Sequence, residues 1–129
     1  MSEKEIYITI PNKGDYELNS LLSQVNYLRK KNWIFKTWKS GPALVNKKFG
    51  SKGQYTGQPY DPEQIELVPN GWTQDHCEIC SASIGENPSL GETEGFNSDY
   101  DWICKSCHQL FIEPADIQPT IYSLKKSMQ

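Results

Sequence analysis

The order of hydrophobic and polar residues predicts a short β-strand near the start of the chain. Residues 6–10 alternate isoleucine with Tyr7 and Thr9, so three isoleucines share one face, as in a half-buried strand. Pro11 ends this pattern because it has no backbone N–H to donate, and Asn, Lys and Gly at 12–14 are typical of a turn. The first five residues are polar, and we expect no signal peptide.

One amphipathic helix is predicted over residues 16–31. Its apolar positions recur at spacings of three and four, which places them on one face: Leu18, Leu21, Leu22, Val25 and Leu28. Asp15 is the expected N-cap, and the cations at 29–31 lie where the helix dipole favours positive charge. We expect the apolar face of this helix to pack into the core.

Two runs rich in aromatic and β-branched residues follow the helix, at 33–39 and 43–49, on either side of a Gly-Pro turn. They predict an antiparallel hairpin. Residues 50–62 contain three glycines and two prolines and predict a long irregular loop. Residues 65–68 predict a further strand, and Pro-Asn-Gly at 69–71 predicts a break after it.

Two Cys-x2-Cys pairs carry the most specific chemical signal. Cys77 and Cys80 form the first pair, Cys104 and Cys107 the second, and the residues between the pairs, 81–103, number 23. Each Cys-x2-Cys turn directs two thiolates to one point, and two turns complete the tetrahedral sulfur shell that Zn²⁺ accepts. Because four thiolates leave no open position for water, we expect one structural Zn²⁺ whose binding is coupled to folding.

Other interpretations of these cysteines stay open. A disulfide framework is disfavoured because we expect a cytoplasmic protein, in which thiols stay reduced. A thioredoxin-like redox site needs one Cys-x-x-Cys pair in a βαβ context, whereas a rubredoxin-type iron centre uses the same two pairs. His76 and His108 each adjoin a cysteine, and either could replace one as a metal ligand. His76 could instead hydrogen-bond a thiolate.

The cysteine-containing region resembles the zinc-ribbon segment of small bacterial proteins. The resemblance rests on Gly-Trp-x3-His-Cys-Glu-x-Cys at residues 71–80 and Trp-x-Cys-x2-Cys at residues 102–107, and it covers residues 70–113. It implies a zinc ribbon of treble-clef type and indicates no reaction. Several such small proteins resemble immunity proteins, which bind and neutralise a toxin. This chain departs from commoner zinc ribbons in having Ser81 and Ala82, and no glycine, after the first knuckle.

These elements predict an α+β fold, with a small antiparallel sheet, one amphipathic helix and a treble-clef-like zinc ribbon. Residues 1–69 are the predicted β-α-β-β unit with the basic aromatic hairpin, and residues 70–113 are the predicted ribbon. Residues 114–129 are expected to pack on the rest through a short helix or strand at 117–124, before a frayed tail. No apolar run approaches the roughly 18 residues that a membrane helix needs, so we expect no membrane association.

Charge is divided unevenly along the chain. Eight cations and no acids lie between residues 18 and 60, whereas twelve acids and one lysine lie between residues 61 and 117. Such a division indicates a basic binding face, an acidic binding face, or two halves of the protein that attract each other.

Two binding functions follow from this division. The first is an immunity-type inhibitor that presents an acidic face to a basic toxin, with the candidate contact residues Glu86, Glu92, Glu94, Asp99, Asp101, Phe96, Tyr100 and Trp102. The second is a nucleic-acid-binding regulator that uses the basic aromatic segment 29–60, with Lys36, Lys47 and Trp38 as candidate contacts. An enzyme is a third alternative with less support, because phosphate-loop, nucleophile-elbow and metalloprotease motifs are all missing from the sequence.

Overall fold

A computed structural model describes residues 6–125. Its strands are β1 (Tyr7–Ile10), β2 (Gly14–Glu17), β3 (Ile34–Thr37), β4 (Gly41–Asn46), β5 (Lys52–Gln54), β6 (Ile65–Trp72), β7 (Gln74–His76), β8 (Ser83–Gly85), β9 (Glu94–Ser98) and β10 (Asp101–Ile103). Its helices are α1 (Leu18–Leu28), α2 (Lys105–Cys107) and α3 (Gln118–Leu124), and a π-helical turn (His108–Ile112) follows α2. The predicted α+β class is confirmed at this level.

The sheets are small and antiparallel. β1 pairs with β2, and β7 pairs with β8. The other two sheets have three strands each, in the orders β10-β9-β3 and β5-β4-β6. No helix within residues 6–125 has the length and hydrophobicity needed to cross a lipid bilayer.

The first strand is confirmed, but the chain after it forms a second strand where the helix was predicted to begin. Ile8 and Ile10 of β1 are buried as expected, whereas Ile6 is 42% exposed. Residues 14–17 pair with β1 across a turn in which Asn12 takes a left-handed conformation (φ +64°), which asparagine tolerates better than most residues. Two strands joined by this turn therefore precede α1.

The N-cap of α1 is Glu17, and the prediction of Asp15 is wrong. The Glu17 carboxylate accepts the backbone N–H groups of Asn19 and Ser20 at 2.7 and 3.1 Å. The hydrogen bond from Asn19 lowers the pKa of the Glu17 carboxyl. Asp15 instead accepts the hydroxyl of Thr9 across the hairpin, at 2.7 Å, because β2 pairing keeps it outside the helix.

The buried face of α1 matches the predicted one. Leu21, Val25 and Leu28 are at most 3% exposed. The helix ends at Leu28, three residues before the predicted end, and Arg29 is its C-cap. The Arg29 guanidinium donates to the carbonyl oxygens of Phe111, Ile112 and Ala115, at 2.7, 3.3 and 3.0 Å. Arg29 therefore ties the end of α1 to the chain that follows the second cysteine pair.

The predicted hairpin of residues 33–39 with 43–49 is wrong. β3 pairs with β9, and β4 lies between β5 and β6. In the β3–β9 register Phe35 is opposite Phe96, and their rings make an edge contact with centroids 5.2 Å apart. This cross-strand aromatic pair gives β3 a partner far along the sequence in preference to the neighbouring strand.

β6 is longer than predicted, because it continues through residues 69–71, where the break and the unit boundary were expected. Pro69 is tolerated because β6 lies at the edge of its sheet, where a missing N–H is not needed. At Gly71 a Cβ atom would lie 2.9 Å from the Cβ of Val68, so this position has no space for a side chain. The predicted loop 50–62 also contains a short strand, β5.

One hydrophobic core draws residues from all three predicted units. Ile8 and Val25 come from the first, Phe111 from the second and Ile121 of α3 from the last, and all are at most 5% exposed. Residues 118–124 form a helix, which is one of the two elements predicted for residues 117–124. The frayed tail was predicted directly after them, but Lys125 forms a bridge with Ile8, and residues 126–129 lie outside the described residues.

Replacing Leu28 with alanine tests this core. Because Leu28 is 1% exposed, we expect Leu28→Ala to lower the free energy of unfolding by about 2–5 kcal/mol, measured by urea denaturation. Leu90 is 62% exposed, so Leu90→Ala is a matched control and should change the free energy of unfolding by less than about 0.5 kcal/mol. Equal effects of the two substitutions would contradict the described packing of α1.

Candidate metal centre

All four cysteines meet at one point in the core. Their Sγ atoms lie within 4.8 Å of one another, all four residues are buried, and all four thiols are free of disulfides. The Sγ atoms of Cys80 and Cys104 are 3.6 Å apart. Zn–S bonds of about 2.3 Å in a tetrahedron place sulfur atoms about 3.8 Å apart. The separation therefore suits a tetrahedral metal ion.

The first cysteine pair lies in the turn between β7 and β8. The backbone N–H of Cys77 donates to the carbonyl oxygen of Ala82 at 2.8 Å, and that of Ser81 donates to the carbonyl oxygen of Cys77 at 2.9 Å. The N–H of Ile79 points at the Cys77 sulfur, 3.4 Å away. Ser81 closes the turn in a left-handed conformation, with φ +64°. Serine is strained in this conformation, which glycine adopts without steric cost.

The second cysteine pair follows β10. Cys104 is the N-cap residue of α2, Cys107 is its last residue, and the N–H of His108 donates to the carbonyl oxygen of Cys104 at 3.0 Å. One backbone hydrogen bond of 2.9 Å, from Glu78 to Trp102, joins the first cysteine turn to β10. Two segments far apart in sequence are thus held side by side.

The β1–β2 hairpin and α1 cover the first cysteine turn. The Tyr16 hydroxyl donates to the carbonyl oxygen of Cys80 at 3.3 Å, and the Gln24 amide donates to the carbonyl oxygen of Glu78. Burial alone would lower the pKa of Lys13, but negative charge on the cysteines raises it above its usual value. Lys13 thus supplies positive charge that offsets thiolate charge.

Because the thiols lie so close together, their pKa values shift in opposite directions. The hydrogen bond between Cys104 and Cys107 raises the pKa of Cys107 and lowers that of Cys104, and the bond to Cys104 also raises the pKa of Cys77. Four thiolates this close cannot all keep their charge without a cation, so some retain protons. A divalent metal ion would displace those protons and satisfy all four sulfurs.

Neither histidine belongs to the cysteine cluster. The ring of His108 stacks on Phe96, with centroids 3.4 Å apart, and its Nδ1 lies 3.1 Å from a carboxylate oxygen of Glu113. His76 is exposed, and its Nε2 lies 3.4 Å from the side-chain amide of Gln74. The four cysteines are the group that the described structure brings together.

The five candidate acidic contacts differ in their surroundings. Lys105 lies 3.6 Å from Glu92 and 3.1 Å from Glu94, and Lys31 pairs with Asp101. Within residues 6–125, Glu86 and Asp99 have no ion pair, and both are exposed.

The three candidate aromatic contacts also differ in how exposed their side chains are. Tyr100 is 55% exposed and Trp102 only 8%. Phe96 is half-buried between the rings of Phe35 and His108. Among the predicted contacts, Asp99 and Tyr100 are thus an exposed acid beside an exposed aromatic ring.

The three candidate nucleic-acid contacts do not share one exposed surface. Lys36 is exposed on β3, but Lys47 follows β4 and donates to the carbonyl oxygen of Pro62 at 2.7 Å. Trp38 is only 4% exposed. Its indole is therefore not displayed for stacking on a strand of bases.

A part-buried contact that the sequence did not reveal involves Asp75, two residues before Cys77. One carboxylate oxygen of Asp75, Oδ2, accepts the indole N–H groups of both Trp38 and Trp72, at 3.0 and 3.2 Å. Burial raises the pKa of the Asp75 carboxyl, and the two indole hydrogen bonds act against that rise. The only signal in the sequence was the Trp-x-x-Asp spacing of residues 72–75, which does not indicate a third partner at residue 38.

No protein-family model, curated protein or solved structure matches this chain. Function has to be inferred from the chemistry of the site itself.

Replacing Ser81 with glycine tests the strain in the first cysteine turn. Glycine adopts φ +64° without steric cost, so Ser81→Gly should raise the free energy of unfolding of the metal-loaded protein by about 0.5–1 kcal/mol. Ser51, an exposed loop residue without a positive φ, gives the control Ser51→Gly, which should bring no gain. A loss of stability in Ser81→Gly, measured by thermal denaturation, would contradict the left-handed conformation.

Proposed function

We propose that this chain is a non-enzymatic binding protein with one structural Zn²⁺ held by Cys77, Cys80, Cys104 and Cys107. The observation that carries the proposal is the set of four buried thiols within 4.8 Å, which would fill every position around a tetrahedral ion. A catalytic zinc keeps one position open for water, whereas a structural zinc has all four filled by protein. The metal then stabilises the fold, and binding takes place on the surface around it.

Zinc is the preferred occupant for chemical reasons. Tetrahedral tetrathiolate sites suit zinc or iron, and zinc has neither a redox change nor a geometric preference of its own. Free thiols also fit a reducing compartment, so a cytoplasmic location is part of the proposal. The resemblance of residues 70–113 to a zinc ribbon supports the same metal.

We further propose that the binding partner is a protein with a basic surface. The supporting observation is the excess of acids in residues 61–117, to which a Zn²⁺ with four thiolates would add a formal charge of −2. Asp99 and Tyr100 are the best-placed contacts, because an exposed aromatic ring beside an unpaired acid combines apolar area with charge. Several of the small zinc-ribbon proteins that residues 70–113 resemble are in turn similar to immunity proteins, which gives the proposal its most specific form: inhibition of a bacterial toxin.

Metal analysis tests the structural zinc. Freshly purified protein should contain one zinc per chain, and Cys104→Ser should lower both the zinc content and the thermal midpoint, because three thiolates cannot complete the shell. Ser106→Ala, which changes a residue between two ligands, should keep the zinc. Iron in place of zinc, or metal-free protein with intact disulfides, would contradict this part of the proposal.

Charge reversal at Asp99 tests the basic partner. With a basic toxin encoded by a neighbouring gene as the probe, Asp99→Lys should slow association several-fold, and the wild-type rate should fall steeply with salt. Glu66→Lys makes the same charge change at an exposed position of β6 and is the matched control.

Two results would contradict the basic-partner proposal. The first is equal association by the wild type and Asp99→Lys. The second is tight, saturable binding of a labelled single-stranded oligonucleotide at physiological salt, lost in Lys36→Glu, which would favour the nucleic-acid alternative.

A further inference from the structure

Three of the four tryptophans line one cleft, together with Asp75, which precedes Cys77 by two residues. The volume of the cleft is about 280 Å³, and Trp38, Trp72 and Trp102 line it together with Asp75 and Tyr100. The lining residues come from β3 and β9–β10 of one sheet, β4–β6 of a second and β7 of a third, with the segments next to them, so the cleft lies where three sheets approach one another. Ligand pockets usually measure about 300–1,000 Å³, so this one suits a group of side-chain size and is too small for a nucleotide.

Asp75, one of the two acids that line the cleft, has one carboxylate oxygen in use and one available. Asp75 Oδ2 already accepts two indole N–H groups. Oδ1 accepts no hydrogen bond from residues 6–125, and it is reached by solvent, because that part of the chain contains no enclosed side-chain oxygen or nitrogen without a partner. The two indoles fix the carboxylate in place, so Oδ1 is a held acceptor beside aromatic rings.

In the described part of the chain, no lysine forms an ion pair with Asp75 or lies over a tryptophan ring of the cleft. Lys36 and Lys39 line the cleft, yet in the described part of the chain neither forms an ion pair or lies over an aromatic ring. A carboxylate oxygen beside aromatic side chains attracts a cation, through charge and through the π-systems. Lys36 and Lys39 therefore line the cleft and leave Asp75 Oδ1 available to a ligand.

We propose that this cleft binds an organic ammonium group that donates an N–H to Asp75 Oδ1 and lays its carbon atoms against Trp72 and Tyr100. These are the aromatic lining residues with exposed surface, since Trp38 and Trp102 are only 4% and 8% exposed. A guanidinium fits less well, because its two-pronged hydrogen bonding needs both carboxylate oxygens and Oδ2 is already occupied. An anion is disfavoured at Oδ1, because it would meet the Asp75 carboxylate directly; Lys36 and Lys39 balance the charge of Asp75 and Asp99 in the lining as a whole. This site goes beyond the proposed function and does not depend on it.

The experiment uses the metal-loaded full chain. Nα-acetyl-lysine amide and its mono-, di- and trimethylated Nζ forms are titrated while the indole N–H signals are followed by NMR. Saturable shifts of the indole signals of Trp38, Trp72 and Trp102 are expected. Affinity should rise with methylation as long as one N–H remains and fall for the trimethyl form. The uncharged norleucine analogue should give no saturation, and the arginine analogue should bind more weakly.

Two sources of the ammonium group are distinguished by a second comparison. Free dimethylammonium is titrated beside a short basic peptide that contains one dimethyl-lysine. Tighter binding of the peptide identifies a protein side chain as the natural ligand, whereas equal affinity identifies a small free amine. Either result supports the ammonium site.

Variants inside and outside the cleft test whether the ammonium group binds there. Asp75→Asn keeps an oxygen for the two indoles but removes the charge, so the affinity should fall about tenfold. Asp61→Asn, at an exposed acid outside the cleft, should leave it unchanged. Trp72→Phe is the second variant if Asp75→Asn loses metal. No saturable shift with any wild-type titration, equal binding of the norleucine analogue, or unchanged affinity in both cleft variants would overturn the proposal.

Discussion

The convergence of four cysteine sulfurs is the constraint on which the rest of the structure depends. Four thiols buried this close together are stable only if they share protons or if a cation balances their charge. The backbone segments that carry them must therefore be held in place by other contacts. β7 delivers the first pair and β10 the second, and the hydrogen bond from Glu78 to Trp102 fixes one against the other. The helix α1 and the first hairpin then close over this centre.

The tryptophan cleft is built on the same strands. Asp75 precedes Cys77 by two residues, and Trp102 precedes Cys104 by two, so both strands that reach the cysteines also line the cleft. Any disturbance of the cysteine cluster should therefore spread to the cleft. A rigid metal centre would hold the Asp75 carboxylate and its indole partners in position for binding.

Sequence patterns predicted the local features of this protein and missed those that need a distant partner. The buried face of α1 follows from spacing within one helix. The two cysteine pairs lie far apart in sequence, but each is a recognisable Cys-x2-Cys turn, and metal-ligand chemistry indicates that two such turns meet. The pairing of β3 with β9 follows from no such signal, since a run such as Ile34–Thr37 indicates a strand but not its neighbour. The cleft was missed for the same reason: its tryptophans are dispersed along the chain, at 38, 72 and 102.

The outer edge of β3 has a consequence for the protein in concentrated solution. β3 ends its sheet, and Ile34 and Phe35 are 60% and 48% exposed, so an unpaired row of backbone groups lies next to apolar side chains. Such an edge is a template on which a second copy can add a strand. Lys36 on β3 and Lys39 just after it oppose this, because two edges that meet would bring like charges together. Lys36 and Lys39 would thus disfavour self-association at this edge without any bound ligand.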